Sequence, residues 1–283
     1  MTGICRESKC RGNDLRTSFK DVIFLATHNS HTQESRDQNH NALDGDNFSN
    51  QKYSMYDQIT TFGVQGLMID IAQPSTLMKL AHWNDDAGTE YYGNFISRMN
   101  EEVLRALNDN PDLVLWFDLQ INDNVGYEEL INAVAGISGI RDMIFDIESS
   151  VWNNHADWPT LQEMIDADQR VVVFSDKLGR IGPFFKSDST QRARFLYKEY
   201  IMWENMFGND EWNSCVARKD GDEDWTDNAG PNDNIAAIPG RSWSRLLTLN
   251  HFPKIEPRYQ ESNDMGMLDA HIYNCMQVHN LRR

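Results

Sequence analysis

Two histidines stand where apolar runs turn polar. In Asp21-Val22-Ile23-Phe24-Leu25-Ala26-Thr27-His28-Asn29-Ser30-His31 an apolar run delivers two imidazoles, an amide and two hydroxyls, and Leu77-Met78-Lys79-Leu80-Ala81-His82-Trp83 ends in the same manner. Imidazole titrates near ~6.5, so one histidine can take a proton from a nucleophile while a second gives one to a leaving group. Phosphodiester cleavage needs such a pair, together with positive charge on the non-bridging oxygens. The other reading of His28 and His82 is a pair of solvated loop histidines. Oxygen donors for a hard cation are also present: Asn29, Asp70 and Gln120, with Asp118 beside them. One carboxylate and two amides supply little charge, so a calcium or magnesium site built from them is expected to be weak. Lys177 and Lys79 are the nearest sequence candidates for a side-chain cation.

These residues need a frame. Short apolar runs recur at 21–27, 64–71, 77–82, 113–119, 170–175, 200–204 and 246–250, separated by longer polar or helical stretches. Leu113-Val114-Leu115-Trp116-Phe117 and Val171-Val172-Val173-Phe174 are continuous rather than alternating, as parallel strands covered on both faces are. Between them, Ile96, Met99, Val103 and Leu107 form a helical stripe that must stop at Asn110-Pro111. Thr160-Leu161-Gln162-Glu163 reads as a capping box opening a short helix. Alternating strands and helices imply a parallel α/β architecture, and seven strand candidates favour one (β/α) barrel over residues 1–283. In such barrels chemistry gathers at the C-terminal strand ends. There the runs place His28 and Asn29, Asp70, His82, Asp118 and Gln120, Asp176 and Lys177, Glu204 and Asn205, and Asn250 and His251 in turn. Lys177, Glu204 and Asn250 are the candidates for substrate contact.

Composition bounds the partners. The 283-residue chain is 40% apolar, enough for a sizeable core, and carries a formal net charge of −17. That charge repels a phosphate backbone and argues against nucleic acid; it also disfavours broad adhesion to anionic membranes. Transient membrane contact through Trp83, Trp203, Trp212 or Trp225 stays compatible with the pattern. No run reaches the roughly 18 apolar residues of a membrane span. The four cysteines lack zinc-site spacing. Cys5 and Cys10 would close a short loop and Cys215 and Cys275 a long one, an even count that suits disulfides and a secreted protein; four buried free thiols are the alternative. Asn47-Phe48-Ser49 is one glycosylation sequon. No signal peptide is evident, so an exported chain would be read as the mature form.

The sequence resembles the phosphatidylinositol-specific phospholipase C superfamily, and within it the secreted phospholipase C-like phosphodiesterases. The resemblance runs from Cys5…Cys10 and Thr27-His28-Asn29-Ser30 through Gly63-Val64-Gln65-Gly66-Leu67-Met68-Ile69-Asp70 and Ala81-His82. It continues through Asn110-Pro111, Trp158-Pro159-Thr160-Leu161 and Gln169–Phe174 to Glu204-Asn205, Ser214-Cys215, Leu249-Asn250-His251-Phe252 and Asn274-Cys275. It implies an irregular TIM-type barrel and a two-step reaction through a cyclic phosphodiester, on a phosphoinositide or other phosphodiester substrate. His28 would be the base and His82 the acid, Asn29 and Asp70 would match calcium-ligand positions, and the cysteines would pair as Cys5–Cys10 and Cys215–Cys275.

Several positions depart from the family pattern. The usual arginine of the second-strand motif is Gln65, the arginine of calcium-independent enzymes is Ala72, and two acidic calcium positions are Met68 and Gln120. The segment His279–Arg283 would lead into a final strand carrying an aspartate that orients the first histidine, so that strand is expected to be missing from this chain. The rival reading is a non-catalytic binding or toxin-like protein that keeps the barrel and has lost its charge-stabilising groups.

Overall fold

The computed structural model describes residues 14–33, 51–84, 88–137, 139–180, 182–204, 243–244 and 246–248. The chain groups into two compact units: Met1–His155 with Pro159–Lys198, and Ala156–Trp158 with Glu199–Arg283. Cys5, Cys10, Cys215, Cys275, Asn250, His251 and the sequon lie outside the described residues.

The first unit is a mixed α/β structure on a large sheet. Its strands are β1 (Ala26–Thr27), β2 (Gly66–Ala72), β3 (Lys79–Asn84), β4 (Gly88–Asn94), β5 (Leu115–Ile121), β6 (Val171–Ser175), β7 (Gly182–Phe185) and β8 (Arg192–Tyr197). They are ordered β4-β3-β2-β5-β6-β8-β7, with β1 also paired to β2. The continuous runs form parallel strands: β1, β5, β6 and β8 all run parallel to their neighbours in the chain of pairs that starts at β2. Among the described residues the sheet does not close on itself.

Four expectations are corrected. Of the first run only Ala26–Thr27 pairs, and Ile23 and Leu25 are 65% and 48% exposed. The third run is antiparallel to β2, not parallel; residues 73–78 are too few for a parallel crossover, which takes about a dozen or more. It continues into a second antiparallel strand, β4. The fourth correction concerns 182–204. A hairpin, β7–β8, supplies the strand next to β6. The run at 200–204 instead begins in a helical turn and ends in β9 (Met202–Glu204), which pairs in parallel with β10 (Leu246–Thr248) in the second unit.

The helices follow local rules. α1 (Met55–Phe62) is capped by Ser54, whose Oγ accepts from Asp57 N at 3.1 Å, and stops at Gly63, left-handed at φ 72°. The apolar stripe at 96–107 forms α2 (Phe95–Arg98), a π-helical turn (Met99–Leu104) and α3 (Arg105–Asp109), which ends before Pro111 as expected. α4 (Tyr127–Ala135) and α5 (Ile140–Met143) follow β5. α6 (Leu161–Asp166) carries the expected capping box: Thr160 Oγ1 accepts from Glu163 N, and Glu163 Oε2 from Thr160 N.

Strand alternation divides the sheet residues between two faces. Leu67, Ile69 and Ile71 of β2 join Phe117, Leu119 and Val173 in one core cluster with Met99, Val103 and Leu107. Each such side chain contributes about 1.5–3 kcal/mol by leaving water. The other, inner face carries Met68, Asp70, Trp116, Asp118, Phe174 and Leu196. In the second unit, Trp158 and Trp243 stack with centroids 5.3 Å apart, and Trp158 Nε1 donates to Ser244 O at 2.8 Å.

Candidate active site

The two histidines meet because β1 and β3 share one edge of β2. β1 pairs with its lower part, Ala26 opposite Gly66 and Thr27 opposite Leu67. β3 pairs antiparallel with its upper part, Lys79 opposite Ala72 and Leu80 opposite Ile71, and then descends. The loop after β1 fills the space between, held by Ser30 N–H donating to Met68 O at 2.9 Å. Asn29 Nδ2 thereby lies 3.2 Å from His82 Nε2. Asn29 sits at φ 49°, a left-handed conformation that asparagine tolerates better than most residues.

The polar cluster around His28 mostly serves this loop. Thr27 Oγ1 donates to Gln58 Oε1 at 2.6 Å, and Gln58 Nε2 donates to Ser30 O at 2.8 Å. Thr32 Oγ1 donates to Asn29 O, and Gln51 Nε2 to His28 O. His31 is fully buried and donates from Nε2 to Ala81 O at 2.8 Å, tying the loop of His28 to the residue before His82. Burial holds its pKa near 3, so it remains neutral and braces the fold. Its carbonyl lies 3.4 Å from Arg98 Nη1; Arg98 also donates to Tyr92 O and pairs inside the protein with Glu102, which accepts from Met55 N at 2.8 Å.

Register defines the rest of the site. Across the inner face Met68 stands opposite Asp118, Asp118 opposite Phe174, and Phe174 opposite Leu196. Two residues on, Asp70 stands opposite Gln120, with Asp176 and Lys198 just past the ends of β6 and β8. Lower down, a Cβ on Gly66 would lie 2.3 Å from Trp116 Cζ2, so Trp116 packs against the β2 backbone and floors this face. Above it, Lys198 Nζ bonds Asp118 Oδ2 at 2.8 Å, with side-chain exposures of 13% and 2%.

Electrostatics separates the groups by role. Burial, then repulsion from His82, lowers the His28 pKa to about 4, opposed by Asp118. His28 is therefore neutral at pH 7, the state a general base requires. Burial pushes Asp70 well above the ordinary carboxyl range, and Asp118 and Asp176 push it further. Asp176 rises to about 6, chiefly by burial. Among the described residues, Asp70 Oδ1 and Asp118 Oδ1 have no protein hydrogen-bond partner.

His28, Asn29, Asp70, Asp118 and His82 are thus gathered at one end of the inner face, with Gln120 half-buried beside Asp70 in register. Lys177 is not among them: it turns to the surface and pairs with Asp123 at 3.1 Å. Lys79 lies over the Tyr91 ring, 4.9 Å from its centroid. Gln65, at the arginine position, donates to Val114 O at 3.1 Å. The Glu204 backbone belongs to β9, opposite Thr248, in the second unit. Sequence reasoning missed Lys198. Its signal was the alternation Ala193, Phe195 against Arg192, Arg194, which marks β8 and makes Lys198 a strand-end residue.

The donor set fits a divalent ion poorly. Asp118 faces apolar Met68 in the register and already binds an ammonium through Oδ2. Among the described residues, no group of three or more His, Cys, Asp or Glu is arranged to hold a metal.

One face of a mixed sheet thus gathers two histidines and a buried lysine–aspartate pair. The PI-PLC X family model, described as PI-PLC X 1, matches residues 17–225, and the chain belongs to that family. A PI-PLC X domain-containing protein 1 of Arthroderma benhamiae is 28% identical over 116 residues, 41% of this chain and 32% of the relative, so the match spans about a third of that protein. Among solved structures, the phosphatidylinositol-specific phospholipase C of Listeria monocytogenes superposes with a TM-score of 0.52 at 13% identity, covering 73% of this chain and 69% of that one. That likeness concerns the fold.

Proposed function

We propose that the chain is a phosphodiesterase of the phospholipase C type that cleaves a phosphodiester bearing a neighbouring hydroxyl, a phosphoinositide or related lipid head group. The observation that carries this reading is the meeting of the His28 loop with His82, through the 3.2 Å approach of Asn29 Nδ2 to His82 Nε2, above a buried Lys198–Asp118 pair. Neutral His28 takes the proton of the substrate hydroxyl, whose oxygen attacks phosphorus. The bond from phosphorus to the leaving oxygen breaks, and His82 donates a proton to that oxygen. A cyclic phosphodiester results, which water opens with the histidine roles reversed. In this reading the sheet is part of an irregular TIM-type barrel, and the protein is secreted, with Cys5–Cys10 and Cys215–Cys275 as disulfides.

The test is release of diacylglycerol or lysolipid head group from phosphatidylinositol and from lysophospholipids. His28→Ala and His82→Ala should each lower kcat by about 10²–10⁴. If the wild-type chain turns over no phosphodiester while still binding such lipids, the non-catalytic reading replaces this one.

A further inference from the structure

We propose that Lys198, oriented by Asp118, is the group that meets the non-bridging oxygens of the phosphodiester, so that the site works without a divalent metal ion. This deepens the function proposed above and rests on it.

Three observations carry the inference. First, Lys198 follows β8 on the inner face, two residues beyond Leu196, and its ammonium is bonded to the nearly inaccessible Asp118 at 2.8 Å with only 13% of its side chain exposed. A lysine that merely solubilised a strand end would extend into water. Second, the two positions where the family resemblance leads one to expect arginine are Gln65, just before β2, whose amide is spent on Val114 O, and Ala72 at the end of β2. The other lysines near the strand ends are engaged elsewhere, Lys177 with Asp123 and Lys79 with Tyr91. Third, an ion seated on the remaining oxygen of Asp118 would share that carboxylate with the ammonium bonded at Oδ2 and be repelled by it. Charge on the oxygens of a phosphoryl group in transit must be met by preorganised donors, and a lysine fixed by a buried carboxylate is one.

The experiment pairs turnover with binding of inorganic phosphate. Lys198→Met should lower kcat by about 10²–10³, as loss of one charge-stabilising donor does, and Lys198→Arg should recover much of that loss. Chelation with EDTA, or added calcium, should leave wild-type turnover unchanged. Because Lys198→Met strands Asp118, the Asp118→Asn/Lys198→Met double variant is the necessary companion; it should keep a cooperative thermal transition and still be inactive. By calorimetry, the wild type should bind inorganic phosphate about ten-fold or more tighter than the double variant. Turnover abolished by EDTA, calcium rescue of Lys198→Met, or equal phosphate affinity in wild type and double variant would overturn the inference. A wild type inactive on every phosphodiester counts against the proposed function instead; the phosphate titration then still decides whether Lys198 builds an anion site.

Discussion

At the residue scale, the site is a set of groups held away from their ordinary charge states. His28 is kept neutral down to a pKa of about 4, so the acid limb of kcat/KM assigned to the base should lie near pH 4. A limb near ~6.5 would mean an imidazole exposed to water. Asp70 behaves oppositely. Its folded pKa lies well above the 3.8 of a free carboxyl, so the folded chain holds a proton that the unfolded chain has already lost. Stability then falls as pH rises above about 4, by up to ~1.4 kcal/mol per pH unit, until the folded carboxyl ionises too. Asp70→Asn removes this term, so its stability advantage over wild type in urea titrations should grow between about pH 4 and pH 7. An advantage that stays level over that interval would show a carboxylate ionised throughout. His31 is a further case of altered charge: in sequence it looks as catalytic as His28, and only its burial and its bond to Ala81 O reveal a brace.

At the element scale, the buried Arg98–Glu102 pair links the loop of His28, β4 and the start of α1, and it sits at the join between α2 and the π-helical turn. Arg98→Leu leaves Glu102 charged and unpaired among apolar neighbours and should cost about 3–5 kcal/mol in chemical unfolding. Adding Glu102→Leu should recover only part of this, since Tyr92 O and Met55 N still lose their partners; full recovery would show that those bonds contribute nothing. Gly66→Ala forces a methyl into Trp116 and Ala26 and should cost about 1–3 kcal/mol or more. Much of this level was legible in the sequence. The continuous runs of β2, β5 and β6, the stop before Pro111 and the Thr160 capping box follow from local rules. The direction of β3 was also legible in the short link 73–78, but a barrel expectation overrode it. The β7–β8 hairpin was not read because its apolar residues, Phe184, Ala193 and Phe195, are spaced among charges and a Pro183 that resemble a loop. With that hairpin went Lys198, whose value depends on a partner 80 positions away in sequence.

At the scale of the whole molecule, the net charge of −17 opposes approach to an anionic lipid surface. Turnover of phosphatidylinositol in vesicles should therefore rise as ionic strength goes from about 0.01 M to about 0.1 M, where the Debye length shortens from ~30 Å to ~10 Å. A steady fall with salt would mean that a local cationic patch governs docking. The shared edge of β2 also sets an order of events. β3 reaches that edge across only residues 73–78, whereas β1 and β2 are joined by residues 28–65, a much longer closure with a larger entropic toll. His82 is thus installed by a local hairpin, and His28 arrives after a long-range pairing. Refolding kinetics should give Leu80→Ala a high φ-value and Thr27→Ala a low one. The acid–base pair would then be assembled among the last features of the first unit, so the chain passes through most of its folding with its two imidazoles still apart.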